Sequence, residues 1–429
     1  MSDSNVGTKT RDSTVALGFK QIIERAVRAG ATDIHLEPME RVVIVRYRRG
    51  GVLYVANKLP KQVALPLARY LKELANLDTD QTSASQTGQT IIKIGRSNYH
   101  LTLSTLPLLD GEKITIHIQS ETLNVPSLKQ LGLWGNTLGR IEFALGLPKG
   151  LIVICGLQNL QTSRTLVSLL RVYSSRPIKT ALIDENMPPL PPTISLFSPS
   201  PKSTFSPPHY LRLLQKRGVE VIGINPVMSK STARETVSAA KKGCVIVAGV
   251  PSTNIAKGLV FLSQLSQEPI GIGFGGVAVG QVVVRGLCPH CRQPYRPTPA
   301  EAARLKKAYG LNSPGAMELI NRLEAEAFRQ GIGSEASLSS SKQGINRLWQ
   351  AKPHGCKLCD HSGFSGSVGI FEACQLNDTI AGQLINSRSP EMIYQTALDG
   401  GMVSLAQDGL VKALRGMIDL PTVFSLEGL

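Results

Sequence analysis

The chain has 429 residues, a formal net charge of +16, 42% apolar residues and 18% charged residues. These values are typical of a globular protein, exclude a disordered chain, and predict two or three domains. No uninterrupted apolar stretch reaches the roughly 18–20 residues that span a bilayer. The N-terminus lacks the basic-then-apolar order of a secretory signal. The sequence therefore predicts a cytoplasmic protein without a transmembrane segment.

The positive charge fits two interpretations. A basic protein can bind nucleic acid or an anionic membrane, and a solvated basic surface has the same composition. Lysine and arginine are scattered along the chain, and aromatic residues make up 5% of it. Charge alone therefore assigns no function, and nucleic acid stays open as a partner.

The first part of the chain predicts a small α/β domain over residues 13–120, after a flexible N-terminus at 1–12. Helical apolar spacing runs from Val15 to Ala29, with Ser13 as a candidate N-cap and Gly30 as a stop signal. Short β-branched runs then predict strands. These strands are expected at 33–36, 42–48, 52–55, 91–94, 100–105 and 113–118.

A linker is expected at 121–130, and from residue 131 the pattern becomes alternating strand and helix. Such alternation is typical of a doubly wound, mostly parallel sheet. The proline-rich stretch 188–208 is expected to be a solvated loop. The core strands are predicted at 151–155, 179–183, 219–224 and 244–248.

Strand 151–155 is followed by a loop and by a helical run at 164–173, which is the layout of a phosphate-binding P-loop. Gly156 and Ser163 fit the motif. The remaining glycine and lysine positions are held by other residues, among them Thr162 in place of the lysine. The sequence therefore predicts the scaffold of a phosphate site without its usual phosphate ligands.

Two C-x-x-C pairs predict a tetrahedral structural zinc site, because each pair presents two thiolates on one turn. Unrelated cysteine pairs or a redox dithiol are the alternatives. The zinc-binding module would span 286–375, with a flexible insertion near 333–344. The predicted metal ligands are Cys288, Cys291, Cys356 and Cys359.

Several segments carry a family resemblance. Residues 31–38 (ATDIHLEP) and 46–48 (RYR) resemble the start of a second N-terminal domain. Residues 148–151 resemble the start of a motor domain, and residues 355–359 and 369–372 resemble a zinc module. The family with these domains is that of the assembly ATPases of type II secretion and type IV pilus systems. Nearly the full length of the chain is similar to that family.

The resemblance implies an α/β fold with a small N-terminal α/β domain and a RecA-like P-loop NTPase-type domain. The latter would bear a zinc module with four cysteine ligands. The RecA-like core would span 131–285, and a C-terminal helical segment would span 376–429. The family's first N-terminal domain is expected to be absent.

The resemblance also aligns the family's catalytic positions with this sequence. Gly156, Thr162 and Ser163 fall at nucleotide-binding positions. Asp184 and Glu185 fall at an acidic motif and are weak catalytic candidates. As polar residues at the end of a strand, they could equally be solvated side chains without a catalytic role.

Other catalytic positions of the family hold different residues here. Pro226 stands where the family has a glutamate, Met228 where it has an arginine, and Pro251 where it has a histidine. Thr102 and His117 stand where its N-terminal domain supplies arginines. Phosphoryl transfer needs cations and a carboxylate around the γ-phosphate, so these replacements predict loss of hydrolysis.

The expected function is therefore a degenerate, non-hydrolysing ring subunit, structural or regulatory, of a type II secretion or type IV pilus system. Its expected partners are the machinery at the inner membrane, where it could be peripheral, and an active paralogous ATPase in a mixed hexamer. One alternative is a motor that binds ATP and Mg²⁺ and hydrolyses ATP with substituted residues. A further alternative is a nucleic-acid-binding zinc protein.

Overall fold

The computed structural model describes residues 6–49, 52–95, 97–120, 125–184, 190–199, 205–311, 314–341, 343–359, 361–386 and 389–427. The chain divides into two units, Met1–Leu123 and Asn124–Leu429. In the described part of the chain, no helix is both long enough and apolar enough to cross a membrane.

The first unit is built on strands whose residues alternate between a buried and a half-exposed face. In the first strand, Ile34 and Leu36 are buried, whereas Asp33 and His35 lie on the other face. The elements of this unit are α1 (Val6–Arg28), β1 (Asp33–Pro38), β2 (Val42–Arg49), β3 (Val52–Pro60), α2 (Ala64–Leu74), β4 (Gln86–Ile94), β5 (Ser97–Leu108) and β6 (Gly111–Ser120).

The six strands of this unit form one antiparallel sheet in the order β3-β2-β1-β6-β5-β4. Helices α1 and α2 contribute Ile23 and Leu71 to the core that covers one face of the sheet. All six predicted strands are present and are longer than expected. Helix α2 was not predicted. Helix α1 begins at Val6 rather than after Ser13, since no proline interrupts residues 6–12.

The second unit contains the predicted alternation of strands and helices. Its first half comprises α3 (Gly135–Leu145), β7 (Gly150–Cys155), α4 (Asn159–Ser174), β8 (Thr180–Asp184), β9 (Ile194–Phe197), α5 (Pro207–Lys216), β10 (Val221–Asn225), α6 (Lys230–Lys241), β11 (Val245–Val250) and α7 (Ile255–Ser266). Its second half comprises β12 (Gly275–Leu287), β13 (Gln293–Tyr295), α8 (Pro299–Ala308), α9 (Pro314–Arg329), β14 (Ser340–Ser341), β15 (Gly344–Ile345), β16 (Leu348–Gln350), β17 (Phe364–Gln375), α10 (Asp378–Asn386), α11 (Pro390–Asp399), α12 (Leu405–Leu414) and α13 (Leu420–Phe424).

The main sheet of this unit has seven strands in the order β17-β12-β7-β11-β10-β8-β9. All neighbours are parallel except β12 and β17. Strands β7, β8, β10 and β11 are buried along their whole length, as expected for a sheet covered on both faces. The mixed α/β fold predicted from the sequence is confirmed.

Two segments differ from the sequence expectation. The proline-rich stretch contains strand β9, which pairs with β8 at the edge of the sheet, where prolines are tolerated. Of the predicted linker, residues 121–124 lie outside the described residues. Val125 and Leu128 are buried in the core of the second unit rather than in a solvated connection.

The predicted flexible insertion is packed against the rest of the unit. The fully buried carboxylate of Glu324 accepts hydrogen bonds from the backbone N–H groups of Ser339 and Ser340, at 2.6 and 2.8 Å. The buried guanidinium of Arg415 donates to the carbonyl oxygens of Ile332 and Ser337, at 3.0 and 3.1 Å. The serine-rich composition suggested a flexible insertion because these two distant partners are not visible in the local sequence.

A second buried carboxyl group joins the sheet to the C-terminal helices. Glu372 on β17 accepts from the first backbone N–H of α7, Ile255, at 3.0 Å, and from that of α12, Leu405, at 3.3 Å. It also accepts from the Tyr394 hydroxyl of α11 at 2.8 Å. Burial raises the pKa of Glu372, and these donors oppose that rise. Three helices are therefore anchored on one side chain.

Candidate functional site

The segment predicted as a P-loop is largely helical. Strand β7 ends at Cys155 and helix α4 already begins at Asn159, so only residues 156–158 form a loop. The backbone N–H groups of Gln161 and Thr162 both donate to the carbonyl oxygen of Gln158, at 3.0 Å. A P-loop directs such N–H groups at phosphate oxygens. Here these two groups are used within the first turn of the helix.

The side chain at the lysine position also turns inward. Thr162 is 1% exposed, and its hydroxyl donates to the carbonyl oxygen of Gln158 at 3.2 Å. A methyl group added to Gly156 would lie 2.9 Å from the Thr162 hydroxyl oxygen and 3.1 Å from Cγ of Gln281 on β12. Gln281, which the sequence did not single out, therefore closes the other side of this turn.

Three side chains form a buried polar cluster directly beneath this turn. The Ser163 hydroxyl donates to Oδ2 of Asp184 at 2.6 Å. The Asn225 amide nitrogen donates to Ser163 Oγ at 2.8 Å and to Asp184 Oδ2 at 3.3 Å. Each of the three is at most 3% exposed. We call Ser163, Asp184 and Asn225 the polar triad.

The topology of the sheet explains why these residues meet. Asp184 ends β8 and Asn225 ends β10, and the two are paired Cα neighbours in the parallel register of these adjacent strands. Ser163 comes from α4, which packs over β10 and β11. The sequence predicted a role for Asp184 and Ser163. The sequence did not single out Asn225, because its pairing with Asp184 becomes apparent only when the order of the strands in the sheet is known.

The polar triad fills its space closely. A methyl group added to Gly249 on β11 would lie only 2.0 Å from Asn225 Oδ1 and 2.9 Å from Thr162 Cγ2. The absence of a side chain at residue 249 therefore makes room for the Asn225 carboxamide.

Three loops at the carboxyl edge of the sheet have no cation of their own, and Lys257 of α7 donates to the Thr253 hydroxyl of one of them at 3.2 Å. The loops 156–158, 226–229 and 251–254, after β7, β10 and β11, contain no lysine or arginine. Instead, Leu157 and Met228 are 66% and 61% exposed. Glu185, the second acidic candidate, lies outside the described residues.

A P-loop implies a bound nucleotide phosphate and Mg²⁺, and both need specific ligands from the protein. A phosphate group needs free backbone N–H donors and positive side chains. Mg²⁺ in such sites is bound by the P-loop hydroxyl and a strand-end aspartate. In this chain the backbone amides of residues 161 and 162 donate to the carbonyl oxygen of Gln158 in the first turn of α4, and Ser163 and Asp184 are bonded to each other and to Asn225. The described residues therefore do not fit a Mg²⁺–nucleotide complex.

In the first unit, the two positions at which the family has arginines form part of the unit's own sheet. Thr102 and His117 are paired across β5 and β6. His117 Nδ1 lies 3.0 Å from Asp33 Oδ1, and Arg48 Nε lies 3.6 Å from Asp33 Oδ2. Burial raises the pKa of Asp33, but hydrogen bonds from His117 and Thr32 outweigh burial, so this pKa lies below its usual value.

The four predicted metal ligands come together at the ends of β12 and β17. Their Sγ atoms lie within 4.8 Å of one another. The separations are 3.9 Å for Cys288 and Cys356, 3.8 Å for Cys291 and Cys359, and 3.7 Å for Cys356 and Cys359. A tetrahedral site with Zn–S bonds of about 2.3 Å has sulfur–sulfur edges of about 3.8 Å. The donor set therefore fits a structural zinc ion, and zinc itself stays a prediction.

Backbone donors also favour a thiolate in this cluster. The N–H groups of Cys356 and Gly363 both point at Sγ of Cys359, at 3.2 Å. Burial raises the pKa of the Cys359 thiol, but these donors, together with hydrogen bonds from the Cys356 and Cys291 thiols, outweigh burial and lower the pKa to about 6. Cys155, Cys244 and Cys374 are buried in the core of the second unit, away from this cluster.

A mostly parallel sheet covered on both faces, with a strand–turn–helix at its carboxyl edge, gives the second unit a RecA-like fold. Solved structures with this fold include the ATPase DotB of Legionella pneumophila, with a TM-score of 0.60 and 12% identity over 95% of both chains. The pilus retraction motor PilT with bound ADP has a TM-score of 0.52 and 13% identity, over 96% of this chain and 97% of its own.

The sequence model of the family described as "Type II/IV secretion system protein" matches residues 8–425, and the chain belongs to this family. The type IV pilus assembly ATPase PilB of Thermus thermophilus is 26% identical over 416 residues, which are 96% of this chain and 43% of that protein. The type II secretion system protein E of Dickeya dadantii is 24% identical over 407 residues, 95% of this chain and 74% of that protein. The chain thus spans less than half of the length of the PilB relative.

The packing at Gly249 makes a testable prediction. Gly249→Ala should destabilise the protein by about 1–3 kcal/mol, because the new methyl group overlaps the Asn225 carboxamide. The cost should be smaller by about 1 kcal/mol in an Asn225→Ser background, as measured by urea unfolding in a double-mutant cycle. Gly139→Ala, in the interior of α3 with no atom within 4 Å of the added methyl, is the control and should be neutral or stabilising by up to about 1 kcal/mol. Equal costs in both backgrounds would contradict the contact.

The cysteine cluster makes a second prediction. Purified protein should contain about one zinc ion per chain, and Cys356→Ser should lower this content to near zero, because a structural site needs all four ligands. Metal analysis after exhaustive dialysis is the measurement. Cys374→Ser, which removes a buried thiol outside the cluster, should keep its zinc. Zinc retained by the first variant would show that another donor set holds the metal.

Proposed function

We propose that this chain is a non-hydrolysing member of its family that serves as a structural or regulatory subunit in a type II secretion or type IV pilus system. The observation that carries the proposal is the first turn of α4. It winds residues 159–162 into a helix where an ATPase needs open backbone amides. The motor fold of its relatives is retained around a site that the chain fills with its own side chains.

Three further features support this proposal. Thr162 stands at the lysine position and is bonded to the helix. Pro226 can neither activate water nor bind a metal. The polar triad uses the hydroxyl and the carboxylate that would otherwise be candidates for binding Mg²⁺. Phosphoryl transfer depends on these groups together, so their joint loss removes the means of stabilising the transition state.

The first test is calorimetry of Mg-ATP with zinc-loaded protein, with phosphate release measured on the same sample. We expect neither heat of binding nor phosphate. Thr162→Lys should restore neither, because one cation does not reopen the helical turn. A hydrolysing member of the family, assayed in the same buffer, is the control for assay sensitivity.

Two results would change the proposal. Phosphate release that disappears in Asp184→Asn would identify a motor with substituted residues. Binding without turnover would make the nucleotide a fixed ligand, and the subunit would then be regulated or stabilised by ATP rather than driven by it.

The proposed role requires a partner with intact chemistry. We expect the tagged protein, recovered from native lysate, to co-purify with a catalytically intact paralogue in a hexameric ring. Mass spectrometry of the complex and its size by light scattering are the measurements. A variant with an added charge at the carboxyl edge, Met228→Glu, should weaken recovery of the paralogue, and Met392→Glu, also exposed but on α11, is the matched control. Recovery of monomers alone would remove the ring from the proposal.

A further inference from the structure

We propose that the side-chain amide of Asn225 takes the place of the divalent cation in this site, and that Asn225→Asp would convert the polar triad into a cation site. This inference rests on the proposed function, since it explains how the site stays closed without a metal. In P-loop NTPases the cation lies between the P-loop hydroxyl and a strand-end aspartate. Here the Asn225 nitrogen contacts Ser163 Oγ, at the P-loop hydroxyl position, at 2.8 Å, and Oδ2 of Asp184, an aspartate at the end of the adjacent strand, at 3.3 Å.

The identity of the contacting atom follows from its neighbours. A carboxylate oxygen can only accept hydrogen bonds, so the Asn225 atom that faces Asp184 must be the NH₂ group and not the carbonyl oxygen. The partial positive charge of that group is thus directed at the carboxylate. Asp184 Oδ2 accepts one hydrogen bond from the Ser163 hydroxyl and another from the Asn225 NH₂ group. These are the roles that a bridging cation would otherwise fill.

The spacing of the oxygens agrees with a direct hydrogen bond rather than a shared metal. Octahedral Mg²⁺ with bonds of about 2.05 Å places neighbouring ligand oxygens about 2.9 Å apart. Ser163 Oγ and Asp184 Oδ2 are 2.6 Å apart, with the hydroxyl proton between them. The hydroxyl oxygen in turn accepts from Asn225, which leaves it poorly oriented to bind a metal.

The position of Asn225 is fixed by the sheet. It is paired in register with Asp184 on adjacent parallel strands, and Gly249 on the next strand leaves the room that its carboxamide occupies. Aspartate has nearly the same shape as asparagine. Asn225→Asp would therefore place a second carboxyl group about 3 Å from the first. Without a cation the two would share one proton, and with a bound cation both would be ionised and no donor would lie between them. Two such carboxylates and a hydroxyl are typical ligands of Mg²⁺ or Mn²⁺, with water completing the shell.

The experiment uses Mn²⁺ as the probe on the zinc-loaded 429-residue chain, with binding followed by electron paramagnetic resonance and by thermal unfolding. The wild type should take up no Mn²⁺ at this site, and its unfolding temperature should not respond to the ion. Asn225→Asp should bind about one Mn²⁺ per chain and gain thermal stability with it. Adding Ser163→Ala to that variant should weaken Mn²⁺ binding by roughly tenfold or more. Asn346→Asp makes the same charge change outside the site and should behave like the wild type.

The inference is overturned if folded Asn225→Asp binds no Mn²⁺, if Asn346→Asp binds it equally well, or if the wild type binds it with the same affinity. Should Asn225→Asp not fold, Asn225→Ala removes the amide and leaves Ser163 and Asp184 facing the vacated space. Mn²⁺ should then raise its unfolding temperature, and the absence of any rise would equally overturn the inference. Phosphate release by the wild type bears on the proposed function instead, so the two failures are distinguishable.

Discussion

A carboxylate buried at the end of a parallel sheet needs donors, and in this protein those donors come from the chain itself. Asp184 is fully buried and receives a hydroxyl from α4 and an amide from the adjacent strand. Leaving such a group without partners would cost several kcal/mol. The same need explains Asn225 at the end of β10 and the missing side chain at Gly249. It also favours a helix that begins early enough to place Ser163 above the carboxylate.

The early start of α4 replaces an open phosphate-binding loop with a turn of helix. A glycine-rich loop keeps its amides available to a ligand but is entropically expensive to order. The carbonyl oxygen of Gln158 instead accepts from the backbone N–H groups of Gln161 and Thr162 in a helical turn, which satisfies these two amides whether or not a ligand is present. The chain thereby retains a strand–turn–helix scaffold that does not depend on nucleotide for its order. This property suits a subunit whose proposed contribution is its shape and its surface.

Much of the fold could be predicted from the sequence, because buried parallel strands appear as β-branched runs and the cysteine pairs appear as motifs. The failures have physical causes. The first turn of α4 was expected to be a loop on the basis of a motif layout, although no glycine or proline within 157–163 prevents a helix. Strand β9 was not predicted because the prolines around it indicated a loop, although an edge strand tolerates them. Glu324, Arg415 and Asn225 act on partners far away in sequence, and no local pattern encodes such contacts.

Of the site, the sequence singled out Ser163, Asp184 and the four cysteines, and these residues lie in polar or thiol clusters. The two clusters differ in how well their geometry suits a metal ion. The thiols present sulfur atoms at the spacing of a tetrahedral metal. The triad presents oxygens that are already bonded to each other. Residue types alone could not make this distinction, since hydroxyl, carboxylate and amide are equally compatible with a cation site and with a closed network.

The position of the cysteine cluster also bears on the order in which the protein can fold. Cys288 and Cys356 are separated by 68 residues and lie where β12 ends and before β17 begins. Pairing these two strands requires a long loop to close, and the entropy of that closure slows folding. A metal captured by the four thiolates would hold both strand ends together and leave the pairing of β12 with β17 a local event. Metal supply during synthesis would then set how quickly the edge of the main sheet is completed.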